Sequence, residues 1–138
     1  MSAKDKFHNT VRLALEKDKW TITHDPLFLR WGGVDVYIDL AAEKLVAAEK
    51  DGEKIAVEIK SFLRSSAIYE FHLAVGQFIN YRSLLKETEP DRVLYLAIST
   101  EVKQGFFQSP FVQKITEEND LKLIIFALEE ERIVQWRK

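Results

Sequence analysis

The order of apolar patterns along this 138-residue chain predicts one domain, residues 1–138, of the α/β (α+β) class, with a mixed central β-sheet flanked by helices. Three observations predict it. An early helical stretch is followed by several short β-rich segments. A long helical pattern covers residues 67–87. Beyond it, two near-continuous apolar runs, VLYLAIS at 93–99 and residues 121–128, are separated by another helix; such runs suit central strands covered on both faces.

In chain order, residues 4–18 read as a helix, with Phe7, Val11, Ala14 and Leu15 at helical spacing. Residues 20–23, WTIT, form a short β-rich segment that His24-Asp25-Pro26 interrupts, because proline biases its predecessor away from helix. His8 and Asp25 read as local hydrogen-bonding groups rather than catalytic ones. Residues 28–31 and 34–40 are two extended pieces joined by a turn at Gly32-Gly33. After a loop at 61–66, the 67–87 helix carries Phe71, Ala74, Val75, Phe78 and Leu85 on its core stripe. Glu70, Gln77 and Tyr81 lie seven and four residues apart on a neighbouring stripe. Pro90 stops this helix. Gly105 and Phe106-Phe107 fall in a loop, and Ser109-Pro110 supplies an N-cap and first-turn proline for a helix to about Asn119. A short strand at 132–136 closes the chain.

The stretch EKLVAAEKDGEKIAVEIK, residues 43–60, is the most informative about chemistry. Two alternating runs, 44–50 and 53–60, meet at Asp51-Gly52, a dipeptide suited to a type I′ hairpin. A two-residue loop there pairs Lys50 with Glu53, Glu49 with Lys54, Leu45 with Glu58 and Glu43 with Lys60. Ile55, Val57 and Ile59 then share the apolar face. Glu43, Glu58 and Lys60 share the other, where opposed residues stand about 5 Å apart. By itself such a patch describes the wet face of any amphipathic hairpin. The alternative is a metal-dependent phosphodiesterase site. Two close carboxylates repel unless a cation lies between them, and hard ions such as Mg²⁺ or Mn²⁺ take carboxylate oxygens. Glu43 and Glu58 are the leading metal ligands, and Asp39 is a second candidate behind Glu43, since Leu-Ala-Ala between them has little strand preference. Gln77 and Tyr81 are either helix-edge polarity or are aimed at the same patch.

Composition narrows the classes. The chain is 46% hydrophobic and 30% charged, an ordinary globular mixture. With no cysteine, disulfides and cysteine-ligated zinc are excluded. Short apolar runs and the N-terminus MSAKDKF lead to the expectation of a cytoplasmic protein with no membrane association. The net charge of −2 predicts weak DNA binding by the isolated chain, since DNA affinity rests on phosphate neutralisation. Affinity would come from a partner or from homo-oligomerisation. Phe106, Phe107 and Trp136 are candidate exposed aromatics for a protein interface, with core placement the alternative for two of them.

The element order, Glu58-Ile59-Lys60 on a hairpin strand and Gln-x-x-x-Tyr on the next helix resemble the PD-(D/E)XK nuclease superfamily, with its restriction-endonuclease-like fold. That resemblance implies Glu58 as metal ligand, Lys60 as the residue assisting the attacking water, and Gln77 and Tyr81 as supports for site or substrate. The chain departs from the pattern in lacking a Pro-Asp dipeptide, so the second acid is Glu43 or Asp39. The longer segments WTITHDPL, IDLAAEKLVAAEK, KIAVEIKSF, VGQFINYRSLL and VLYLAIS are similar to the XisH family of cyanobacterial fdxN element excision controlling factors. This similarity implies programmed excision of a DNA element during heterocyst differentiation, beside a site-specific recombinase and a small XisI partner. The expected activity is a Mg²⁺-dependent DNA endonuclease; the alternative is a non-catalytic regulatory subunit that keeps the nuclease fold and binds a partner protein.

Overall fold

The computed structural model describes residues 5–44, 52–63 and 65–138. Its elements are α1 (His8–Lys17), β1 (Thr21–His24), β2 (Leu27–Trp31), β3 (Val34–Ile38), β4 (Leu40–Lys44), β5 (Glu53–Ile59), α2 (Ala67–Thr88), β6 (Arg92–Ser99), α3 (Thr100–Gln104), α4 (Pro110–Glu118), β7 (Leu123–Ala127) and β8 (Arg132–Arg137). Six strands form one sheet in the order β1-β4-β5-β6-β7-β8. The β5–β6 and β6–β7 pairs are parallel and the others antiparallel, so the sheet is mixed as expected. β2 and β3 make a separate ribbon, whose turn places Gly32 and Gly33 at φ +60° and +84°, a left-handed region open to glycine.

Apolar residues face both sides of the sheet. On one side Phe71, Ala74 and Phe78 of α2 pack with Leu27, Leu29 and Ile38 of the ribbon against Leu96, Ile98 and Ile125. On the other, Val11 and Leu15 of α1 pack with Trp20 against Leu40, Val57, Ile124 and Phe126. The aromatics expected at an interface belong to these layers instead. Phe107 is 2% exposed, Phe106 stacks on Phe62 at 5.7 Å, and Trp136 meets Tyr95 at 5.1 Å. Offset and edge-on ring pairs of this kind favour the interior.

The hairpin register differs from the expected one. β4 pairs with β5 as Leu40–Val57, Ala41–Ala56, Ala42–Ile55, Glu43–Lys54 and Lys44–Glu53. Glu43 therefore stands opposite Lys54, not Lys60, and the partner strand is 40–44 rather than 44–50. The pairings assigned to Leu45, Glu49 and Lys50, and the turn at Asp51, lie outside the described residues. Packing explains the change. Leu40, Ala41 and Ala42 are fully buried, and their small side chains fit between the two layers where propensity alone gave no reason to place them. The slip is an even number of residues, so it preserves the faces: Ile55, Val57 and Ile59 remain together in one layer.

Arg92, at the start of β6, stitches this end of the sheet. Its side chain is 4% exposed; Nε donates to Glu89 Oε1 at 2.9 Å and Nη1 to the Ile55 carbonyl at 3.0 Å. Removing the guanidinium leaves both acceptors short of a donor. Arg92→Met is expected to lower unfolding free energy by about 2–3 kcal/mol in urea titration, the order of leaving buried acceptors unpaired.

Candidate functional site

The chain breaks strand geometry at Asp39, between β3 and β4, and β5 ends one residue past Glu58. One step beyond the Leu40–Val57 pair, these two acids come together. The Asp39 backbone N–H donates to Glu58 Oε1 at 3.4 Å, and the Ile59 N–H donates to Asp39 Oδ2 at 2.8 Å. Lys60, in the next outward position on the same face, places Nζ 3.7 Å from Glu58 Oε2. The acid that meets Glu58 is thus Asp39. Glu43 shares the face but pairs with Lys54, at 3.7 Å, four residues down the strand. At about 3.3 Å per residue that is roughly 13 Å from the Glu58 level.

Burial decides the electrostatics. Glu58 is 8% exposed, and burial, reinforced by the negative charge of Asp39, pushes its carboxyl up to about 8. Asp39 is also raised, chiefly by burial, with the Ile59 N–H, His8 and Lys60 opposing the shift. Tyr81 is pushed up to about 12 by burial and by the charges of Glu58 and Asp39, so its phenol stays protonated as a donor. The charges of both acids thus act on the Tyr81 hydroxyl. Gln77 lies one turn before it on α2, between Tyr81 and Glu70, whose Oε1 accepts from the Phe62 N–H just beyond Lys60. The Gln77 Oε1 is buried and has no hydrogen-bond partner among the described residues.

The N-terminal segment forms a further wall that sequence pattern does not reveal. Asp5 accepts from the Phe7 N–H at 2.9 Å and the Ser61 N–H at 3.1 Å, tying the start of α1 to the chain just past Lys60. His8 donates or accepts at Nε2 with Asp25 Oδ1, 2.7 Å away, and Arg12 pairs with the other Asp25 oxygen. His8 and Asp25 are thus hydrogen-bonding groups as expected, paired with each other across 17 residues. The available signal was a histidine on the apolar stripe of α1, three residues before Val11 and seven before Leu15.

Among the described residues, no three His, Asp or Glu side chains converge closely enough to hold a metal ion unaided. None of the described helices is long and apolar enough to cross a membrane.

The XisH protein family model matches residues 1–134. An XisH family protein from Nostoc punctiforme PCC 73102 is 51% identical over 97% of this chain and 100% of its own, with a TM-score of 0.89. An fdxN element excision controlling factor protein from Anabaena variabilis is 49% identical over 98% of this chain and 100% of its own, with a TM-score of 0.88. No curated protein matches. A family match over nearly the whole sequence, joined to about half identity with complete solved chains of the same fold, means that this chain belongs to the XisH family.

Proposed function

We propose that this XisH-family protein is a divalent-metal-dependent DNA-processing subunit acting in excision of a DNA element, with Asp39, Glu58 and Lys60 as its phosphodiester site. The observation that carries the chemistry is the meeting of Asp39 and Glu58 beside Lys60 at the end of β4 and β5. The excision role rests on the Anabaena variabilis relative. The arrangement has the Asp, Glu-x-Lys donor set of the PD-(D/E)XK nucleases, and we assign the fold to that superfamily.

The donor chemistry fits a hard divalent cation. Two carboxylates both raised by burial, with Asp39 raising Glu58 further, are the groups such an ion neutralises, and Mg²⁺ needs only one or two of them when water and phosphate oxygens complete its six positions. Asp39 and Glu58 would hold Mg²⁺ or Mn²⁺; Glu43 would not. The ion supplies Lewis-acid polarisation of the phosphate. The Ile59 N–H fixes the Asp39 carboxylate, and Lys60 presents a cation where charge develops on phosphate. Tyr81, held neutral, and Gln77 orient water or a phosphate oxygen from the α2 side.

Calorimetric titration with Mn²⁺ tests the ligand assignment. Glu43→Gln should bind within about twofold of wild type, while Asp39→Asn should lose at least tenfold, as the loss of one of two carboxylate ligands requires. Loss in Glu43→Gln with retention in Asp39→Asn would reverse the assignment.

The alternative, a regulatory subunit without catalysis, is favoured by a different surface. Ile68, Tyr69, Leu73 and Ile79 of α2 and the neighbouring Phe111 are exposed together on the outer side of the molecule. On either reading, the −2 charge leaves DNA affinity to an XisI-like small protein, a recombinase or a second copy, and the working compartment is the cytoplasm. Metal-dependent cleavage of plasmid or branched DNA, with and without the partner, separates the two.

A further inference from the structure

α2 is apolar on its outer face as well as its inner one. Phe71, Ala74, Phe78 and Leu85 are buried against the sheet, yet Ile68, Tyr69, Leu73 and Ile79 are 39–64% exposed. A surface helix ordinarily turns polar and charged residues outward, and one that is apolar all round belongs in an interior. Between Glu70 and Arg82 the helix has no Asp, Glu, Lys or Arg, the longest such run in a chain that is 30% charged. The next longest, residues 104–113, reaches the same surface: Phe111, 48% exposed, meets the His72 ring edge-on at 6.3 Å. Gly76 sits at the middle of this face. At 3.6 residues per turn, Ile68, His72 and Ile79 fall to one side of it and Tyr69, Leu73 and Asn80 to the other. A Cβ built on Gly76 meets nothing within 4 Å among the described residues. The chain's own packing thus does not require glycine there, and glycine inside a helix is unfavourable. The result is a notch, one residue wide, in an apolar surface.

We propose that this face pairs with the same face of a second copy of the chain, the two α2 helices crossing at Gly76. Two features select a second copy over a different protein. A twofold interface is isologous, so residues at its axis meet themselves. A large side chain there clashes with its own copy, whereas two glycines let the helices approach at or below the usual interaxial distance of about 8–10 Å. The second feature is charge. A face without formal charge meets itself with no like-charge repulsion, and it offers nothing to complement a charged partner. With Gly76 at the axis, Leu73 and Ile79, about one turn before and after it, enter the grooves of the facing helix. The exposed apolar side chains, with His72, Asn80 and Ser83 between them, make up much of the roughly 800 Å² that each partner gives to a standard interface. The pairing is independent of the cation site and compatible with either reading of the function.

Sedimentation equilibrium of the full chain over about 1–100 μM, where dissociation constants of that order are read directly, tests the pairing. Wild type is expected to dimerise within this range. Gly76→Gln should weaken the dimer by about 30-fold or more, the size of a hot-spot loss, because it fills the notch. Leu73→Glu should do the same by placing two carboxylates in the apolar contact. Val34→Gln, on an equally exposed apolar residue of the β2–β3 ribbon, should dimerise as wild type does. In dilute solution, where wild type is monomeric, Gly76→Gln should melt at the wild-type temperature or above it, since the new side chain displaces nothing and favours the helix. Should it melt lower, Leu73→Glu decides. A wild type still monomeric at about 100 μM overturns the inference and leaves the face to a different protein. A dimer untouched by Gly76→Gln and Leu73→Glu, or weakened as much by Val34→Gln, overturns it equally.

Discussion

Glu58→Gln is expected to make the metal-free protein more stable at pH 8 while abolishing its response to divalent metal. Folding lifts the Glu58 carboxyl from its ordinary value near 4.5 to about 8, because burial and the neighbouring Asp39 disfavour the charge. Between those values the native state holds a proton that the unfolded chain has released, so stability must fall as pH rises through the window. At about 1.4 kcal/mol per pH unit the loss is on the order of 4–5 kcal/mol by pH 8. The glutamine amide is neutral at every pH, and its oxygen can still accept from the Asp39 N–H. The variant should therefore melt several degrees higher than wild type at pH 8, converge with it near pH 5, and show a flatter profile between. Excess Mg²⁺ or Mn²⁺ should raise wild-type stability at pH 8 by mass action and leave the variant unchanged. A Glu58→Gln protein less stable than wild type at pH 8 would mean that the carboxylate stabilises the fold through its pairing, contrary to a site held under strain for a ligand.

Lys60→Ala should separate binding from chemistry. The Lys60 ammonium stands 3.7 Å from Glu58, where it competes with a second cation for the same carboxylate. Its removal is expected to leave Mn²⁺ affinity unchanged or tighter. Any DNA cleavage should fall by about 10²–10³-fold, the magnitude typical of losing one group that stabilises developing charge. Asp39→Asn should lose both properties. Cleavage of plasmid DNA over a Mn²⁺ series, with calorimetry on the same preparations, checks all three proteins. Wild-type cleavage by Lys60→Ala would remove the amine from the mechanism. Metal binding without cleavage by any protein, even with a partner present, would favour the regulatory reading.

Much of this architecture was legible from local pattern. The 67–87 helix, the buried runs that became β6 and β7, and the ribbon turn at Gly32-Gly33 follow from periodicity and turn chemistry, which act over a few residues. The same holds for Glu58 and Lys60 on one face, since alternation along a strand does not depend on which partner it finds. It holds too for the stripe Glu70, Gln77 and Tyr81, where 3.6 residues per turn sets the spacing. The second acid was not legible in this way. The local turn signal at Asp51-Gly52 predicts the pairing of Glu43 with Lys60, but the burial of Leu40, Ala41 and Ala42 between two layers accompanies a different register of β4 and β5. That packing brings Asp39 to Glu58 and sends Glu43 to Lys54. The pairing of His8 was hidden for the same reason, since its partner Asp25 is 17 residues away. Sequence alone determined which residues share a face of each element, because that is a matter of backbone period. Only the tertiary structure decided which faces meet, because that depends on how small and large side chains fill the space between the layers.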